Sequence, residues 1–335
     1  VADLSAVGRR LGPADDERGQ IILIAAFAMA VTFVTLALVV NSAIFTENLA
    51  SRGETSGSDD ALLVRHEVER ATGSAIEYAN AHNATSNETL ANSLRDSVAT
   101  ISAVTTEQHA TGGKIVTVEG PTAIENGTQI RDESLGGSTF VNATVGGANE
   151  TDWRVADGIA ETRAYRMNVT GVNRTDNFGG PAAEQFQLIV TDSGGGTWTM
   201  NVTHENTATG GEYRVGVENA AGEEGYCAVD ETVDYFHVDL TAGLVAGEPC
   251  PALSFGEGLS TPYDITYQEG DEVTGNYSVV VNDESVSSND NLASSPGSDD
   301  PYWDEAIYAA NVTFRYDGPD MTYETTVRAA PGEPA

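Results

Sequence analysis

From Ile21 to Val40 the chain carries no charged residue and no Asn, Gln or Pro, and its only side-chain hydroxyls belong to Thr32 and Thr35. As a helix, Ile21–Ile44 measures about 36 Å at 1.5 Å per residue, against the roughly 30 Å of a bilayer's hydrocarbon core. A soluble core helix of this length shows a polar stripe, and none is present. A cleaved secretory signal fits less well, because its apolar region runs about 7–15 residues before a small-x-small cleavage site. The pattern therefore predicts a transmembrane helix at residues 20–46. Arg9, Arg10 and Arg18 precede it and only Arg52 follows within a similar window. The positive-inside bias then places residues 1–19 in the cytoplasm and the bulk of the chain outside, anchored at the cell membrane.

After a polar break running through Ser58, with Asp59 or Asp60 as cap, Ala61, Val64, Val68, Ala71, Ala75 and Tyr78 recur at helical steps. A second helix is expected from Thr85, in a capping box with Glu88, with Leu90, Leu94, Val98 and Ile101 as its buried stripe. Together they make a helical stalk over residues 59–110. From Lys114 the period changes to two. Strands are expected at 114–119, 139–146, 161–171, 185–192, 197–204, 212–218, 226–230, 233–241, 263–268, 275–282, 306–316 and 321–328, with Gly- and Asp-rich turns between them. No long helical pattern interrupts this series, which favours an antiparallel sandwich or barrel over βαβ units. The fold class is α+β, mainly β: a transmembrane helix, one or two amphipathic helices, then a sandwich-like exterior domain at 111–330. Within it, 282–300 reads as a flexible loop and the tail from Ala329 as frayed.

Composition sharpens the setting. The formal charge is −35, and the sixteen basic residues comprise fifteen Arg and one Lys, Lys114. Acidic excess with almost no Lys is similar to the proteins of extreme halophiles. At about 1 M salt the Debye length is roughly 3 Å, so the self-repulsion is screened there and not in dilute buffer. Phosphate recognition needs clustered Lys and Arg, so no nucleic-acid partner is expected. The acids are scattered among Val, Tyr and Phe, which fits a solvated folded surface better than a metal sponge or disordered tail.

Ten N-x-S/T sequons lie beyond the apolar run: Asn83, Asn87, Asn126, Asn142, Asn149, Asn168, Asn173, Asn201, Asn276 and Asn311. Twenty asparagines, with Ser plus Thr near one residue in six, would give about three by chance, so the surplus suggests a glycosylated exterior. In the expected strands each Asn shares the polar face with its Thr, as Asn168 and Asn201 do. Cys227 and Cys250 both fall on the outer side, where a disulfide is favoured over a two-thiol metal site, and a free buried pair is the alternative.

Catalytic and metal motifs are missing. There is no G-x-S-x-G, H-E-x-x-H, Walker A or G-x-G-x-x-G sequence, and His66, His82, His109, His204 and His237 fall in no ligand spacing. Asp299, Asp300, Asp304 and Glu305 lack the spacing of a calcium loop. No cofactor, metal or enzymatic role is expected, and no catalytic residues are assigned.

At Arg18-Gly19-Gln20 and the apolar run that follows, the chain resembles Tad-type (TadE/TadG-like) pseudopilins, whose segments begin R-G-Q and continue through a hydrophobic helix into an Asp-Ala-rich one, here Asp59-Asp60-Ala61. The whole is similar to single-span secreted glycoproteins of haloarchaea. The resemblance, over residues 18–65, implies membrane insertion and processing between Gly19 and Gln20 by a prepilin-type peptidase. Where type IV pilins usually carry Glu at the fifth mature position, this chain has Ile24. The expected function is a membrane-anchored, pilin-like surface glycoprotein with a structural or adhesive role in a filament, its assembly or the cell envelope, with pilus or envelope proteins as partners. Two alternatives come from other classes. One is an anchored binding module for a sugar, polymer or metal ion, with Trp153, Trp198 or Trp303 in a concave aromatic cluster. The other is a secreted hydrolase with convergent carboxylates in a cleft.

Overall fold

The computed structural model describes residues 13–82, 86–133, 137–142, 150–173, 185–207, 210–283, 292–293, 301–319 and 321–334. Within the first of these, side chains are described at 26–41 and from Ser58 onward. The chain divides into two compact units, Val1–Leu62 and Leu63–Ala335.

Helix α1 spans Pro13–His82. The expected break through Ser58 is absent. Thr46–Ser58 contains no Pro, and Gly53 and Gly57 each cost a helix only about 1 kcal/mol relative to Ala, too little to stop propagation. From Leu63 onward Val64, Val68 and Ala75 are buried as expected, but Ala71 lies at the rim and Tyr78 is exposed, their places taken by Thr72, Ile76 and Ala79. Helix α2 spans Asn87–Ala110 and begins one residue later than a Thr85 cap would have it. Ser86 is the N-cap, its hydroxyl accepting the Thr89 N–H at 3.2 Å. Leu90, Leu94 and Val98 form its buried stripe, and Ile101 is half-buried.

Fifteen strands follow among the described residues: β1 (Ile115–Asp132), β2 (Ser138–Thr139), β3 (Trp153–Ile159), β4 (Thr162–Val172), β5 (Phe186–Asp192), β6 (Thr197–Thr207), β7 (Gly210–Glu218) and β8 (Glu224–Asp230), then β9 (Phe236–Asp239), β10 (Leu244–Val245), β11 (Glu248–Pro249), β12 (Tyr263–Gln268), β13 (Val273–Val281), β14 (Tyr302–Asp317) and β15 (Thr322–Ala329). They form two sheets in which every pairing is antiparallel. One runs β11-β10-β9-β4-β13-β1-β14-β15 with β2 added at β13, and the other β3-β12-β5-β6-β7-β8.

Most expected strands appear with shifted ends. Strand β1 runs far past its expected end at residue 119, because bulges between Glu119 and Ala123 and between Glu125 and Asn126 let the ladder to β14 absorb Gly120-Pro121. The stretch 139–146 contributes only β2 and an Asn142–Glu150 bridge among the described residues. Strands β3, β10 and β11 went unanticipated, being short or lacking clean alternation.

The two sheets enclose one apolar core. Met167, Val169, Val238, Tyr277 and Val279 enter it from the larger sheet, and Phe186, Leu188, Trp198, Met200, Val215, Ile265 and Tyr267 from the smaller. Fully burying each large apolar side chain stabilises by about 1.5–3 kcal/mol. Phe140 meets Phe186 edge-on with ring centroids 5.4 Å apart, and Tyr165 donates to the Tyr267 hydroxyl across the core at 2.8 Å. Burial pushes the Tyr267 hydroxyl well above its ordinary pKa, so it stays a neutral hydrogen-bonding group.

The other face of the larger sheet takes the helices, so the Leu63–Ala335 unit has three layers. The buried Asn80 carboxamide makes a reciprocal pair with the Ile307 backbone, donating at 3.0 Å and accepting at 2.9 Å. The first half of β1 pairs only with β14, because β13 begins pairing at Thr128. On its other edge, Ser102 Oγ accepts the Val118 N–H at 3.1 Å and the Thr106 hydroxyl donates to the Val116 carbonyl. Helix hydroxyls thus cover backbone groups that would otherwise template aggregation.

The tail expected to fray is held. Arg163, 1 % exposed, donates to the Pro331 carbonyl at 2.9 Å and to the Ile307 carbonyl at 2.7 Å. The Ala164 N–H donates to the Gly332 carbonyl at 2.8 Å. Burial pulls the Arg163 guanidinium down to about 10. In the expected 282–300 loop, the described pair Leu292–Ala293 is tied down as well: Ala293 donates to the Pro301 carbonyl at 2.9 Å and accepts from Trp303 N–H at 3.1 Å.

Candidate functional site

Three features are candidates for functional chemistry: the apolar stretch of α1, the sequons and the disulfide. Every residue from Ala26 to Asn41 is exposed, and the large apolar ones point in all directions around the helix, with Phe27 69 %, Phe33 63 % and Leu38 64 % exposed. The two hydroxyls in the stretch are turned back onto the backbone. Thr32 donates to the Ala28 carbonyl at 2.8 Å and Thr35 to the Val31 carbonyl at 3.0 Å. Neither polar group needs solvent. Among the described residues no helix is long and apolar enough to cross a membrane; the apolar side chains described in α1 extend over residues 26–41, short of the roughly 20 residues that a span takes. Gly19 and Gln20 lie inside α1, with their side chains outside the described residues. A peptidase acting between them needs that turn unwound.

The sequons fall into distinct environments. Asn83 and Asn149 lie outside the described residues. Asn142 is fully buried, and its backbone exchanges both hydrogen bonds with Glu150, at 3.0 and 2.8 Å. Asn87, in the first turn of α2, is half-buried with its Oδ1 enclosed. Asn126, in β1, and Asn311, in β14, are half-buried. Asn168 and Asn276 stand directly opposite each other on β4 and β13, with His237 of β9 next in the row. Asn173 is exposed, donating to the Asp271 carbonyl at 3.2 Å. Asn201 sits half-buried in the middle of β6 on the face turned away from the core.

A disulfide joins Cys227 to Cys250, with Cα atoms 6.0 Å apart. It ties the edge strand β8 to the segment after β11, whose Cys250 and Leu253 enter the core. Closing this loop contributes about 3 kcal/mol in the chain-entropy model.

The aromatic cluster expected of a binding module is not assembled. Trp153 and Trp198 are core residues, 3 % and 0 % exposed, and Trp303 packs against the same core. The alternation of β3 and β6 turns both rings inward, away from any solute. Among the described residues no group of three or more His, Cys, Asp or Glu is placed to hold a metal ion. His204 Nε2 lies 3.2 Å from Glu231 and its ring 4.6 Å from Tyr213, a pair that braces the β6–β7 hairpin. Asp299 and Asp300 lie outside the described residues, and Asp304 is ion-paired to Arg131.

The class these features define is a two-sheet antiparallel β protein with helices on one sheet and an exposed apolar helix ahead of it. Residues 15–138, which span the apolar helix, α2 and β1, are similar to a family of unknown function (DUF7261). No curated protein and no solved structure matches the chain.

Proposed function

We propose that the chain is a membrane-anchored, pilin-like surface glycoprotein, acting structurally or adhesively in a filament, its assembly or the cell envelope. The observation that carries this reading is the exposed stretch at 26–41. Nine large apolar side chains, Phe27, Met29, Val31, Phe33, Val34, Leu36, Leu38, Val39 and Val40, lie open on one helix with no polar stripe. Leaving them in water forgoes on the order of 10 kcal/mol of burial. Lipid or a bundle of like helices recovers it, and the backbone-bonded hydroxyls of Thr32 and Thr35 suit either setting. The uncharged sequence on both sides of the stretch extends it to the length of a span. The arginines at positions 9, 10 and 18 orient it with the sheets outside, where the sequons and the disulfide have their chemistry.

Fractionation with mass spectrometry tests the reading. The expected result is a protein that stays with membranes through carbonate washing, needs detergent for release, and begins at Gln20. A mature terminus elsewhere removes the processing step, and a protein recovered free of membranes removes the anchor.

A further inference from the structure

On the outer face of the smaller sheet, Gln187, Asn201, Gly216 and Tyr226 stand in register across β5, β6, β7 and β8. Registered partners share a face, so this row places the sequon asparagine two strands from an exposed aromatic ring, with a glycine between. The Asn201 carboxamide already leans over that glycine: a Cβ at Gly216 would stand 2.4 Å from Asn201 Oδ1. The missing side chain gives this carboxamide its room, so the amide reaches across β7 toward β8, the next strand about 5 Å further on. Tyr226, at its far side, is 59 % exposed, and the Arg214 guanidinium carbon is 4.8 Å from its ring centroid. Arg214 is itself ion-paired to Glu205 and Glu212. Cys227, the next residue, pins this edge strand through its disulfide. An exposed aromatic ring one strand beyond a sequon amide offers a platform for the C–H face of a sugar.

Resting on the surface-glycoprotein reading, we infer that Asn201 is a glycan acceptor whose first sugar, carried past Gly216 by the amide, packs against Tyr226. In the modification, a phosphate-activated glycosyl donor loses its C1–O bond as the C1–Nδ2 bond to Asn201 forms. The phosphate leaves with the electron pair, the amide gives up one proton to it, and nothing is oxidised or reduced. Thr203 of the sequon is only 8 % exposed, packed where β6 pairs with β7, so transfer precedes closure of this hairpin. Among the described sequons Asn142 is buried, and Asn168 and Asn276 stand directly opposite each other.

The test uses the full-length protein isolated from its native envelope. Glycopeptide mass spectrometry is expected to find Asn201 occupied. Tyr226→Ala is expected to lower Tm by roughly 2 °C more in the glycosylated protein than in an Asn201→Gln background, where only the Arg214 contact is lost. A bare Asn201 beside occupied sequons elsewhere overturns this inference alone. An equal effect of Tyr226→Ala in both backgrounds overturns the docking. A protein bare at all its sequons overturns the glycoprotein reading and this inference with it.

Discussion

Asp192, at the end of β5, shows how much one side chain sets locally. Its carboxylate accepts the N–H groups of Ser260 at 3.0 Å and of Gly194 and Gly196 at 2.8 Å each. These bonds, Ser260 and Gly196 foremost, hold it below the ordinary carboxylate pKa. A folded-state value depressed in this way gives stability that is fully present above the unfolded pKa, about 3.9, and is lost as the pH falls through the folded one. Asp192→Ala should therefore lower the urea midpoint at pH 7, with the gap to the parent closing as the pH drops below about 4. A gap of equal size at both ends of the titration would contradict this. The run Gly194-Gly195-Gly196 announces a turn in the sequence, but Ser260 is nearly seventy residues away and only the fold brings its N–H to the carboxylate. Arg163 was likewise hidden: nothing in its local pattern marks a buried guanidinium that clamps two carbonyls from the last forty residues.

At the scale of elements, period and burial were legible where each strand or helix has one clean face. Leu90, Leu94 and Val98 line α2 as their spacing predicts, and β5, β6, β12 and β15 fall within a few residues of expectation. The errors sit where tertiary contacts override a local breaker. Strand β1 passes through Gly120-Pro121 because β14 continues alongside it, and the bulges absorb the mismatch. Gly127, in the same strand, owes its identity to this pairing. A Cβ there would lie 2.2 Å from the Val281 carbonyl oxygen of β13 and 3.1 Å from Tyr308 Cβ. Gly127→Ala should destabilise by about 2 kcal/mol or more, because backbone must shift. Gly112→Ala, whose added Cβ meets nothing closer than 3.5 Å, serves as the near-neutral control in the same denaturant titration.

Taken whole, the molecule carries 51 acidic against 16 basic side chains. With acids about three times as numerous as bases, the folded state is expected to depend on screening of their mutual repulsion. Near-UV circular dichroism should show tertiary structure lost on transfer from molar to millimolar salt, and an unchanged spectrum would contradict it. Charge, the apolar run, the period-two segments, the sequons and the only two cysteines are properties of the sequence by itself, because each follows from residue identity or spacing over a few positions. Register across distant strands is not local. Asn168 meets Asn276 across more than a hundred residues, and β6, β7 and β8 bring Asn201, Gly216 and Tyr226 into one row. Tertiary structure alone decided that two tryptophans fill the core, that the helices cover one sheet, and that a glycine lies under a sequon's carboxamide. The physical reason is that a strand's inward and outward faces acquire meaning only once its partners fix what lies on each side.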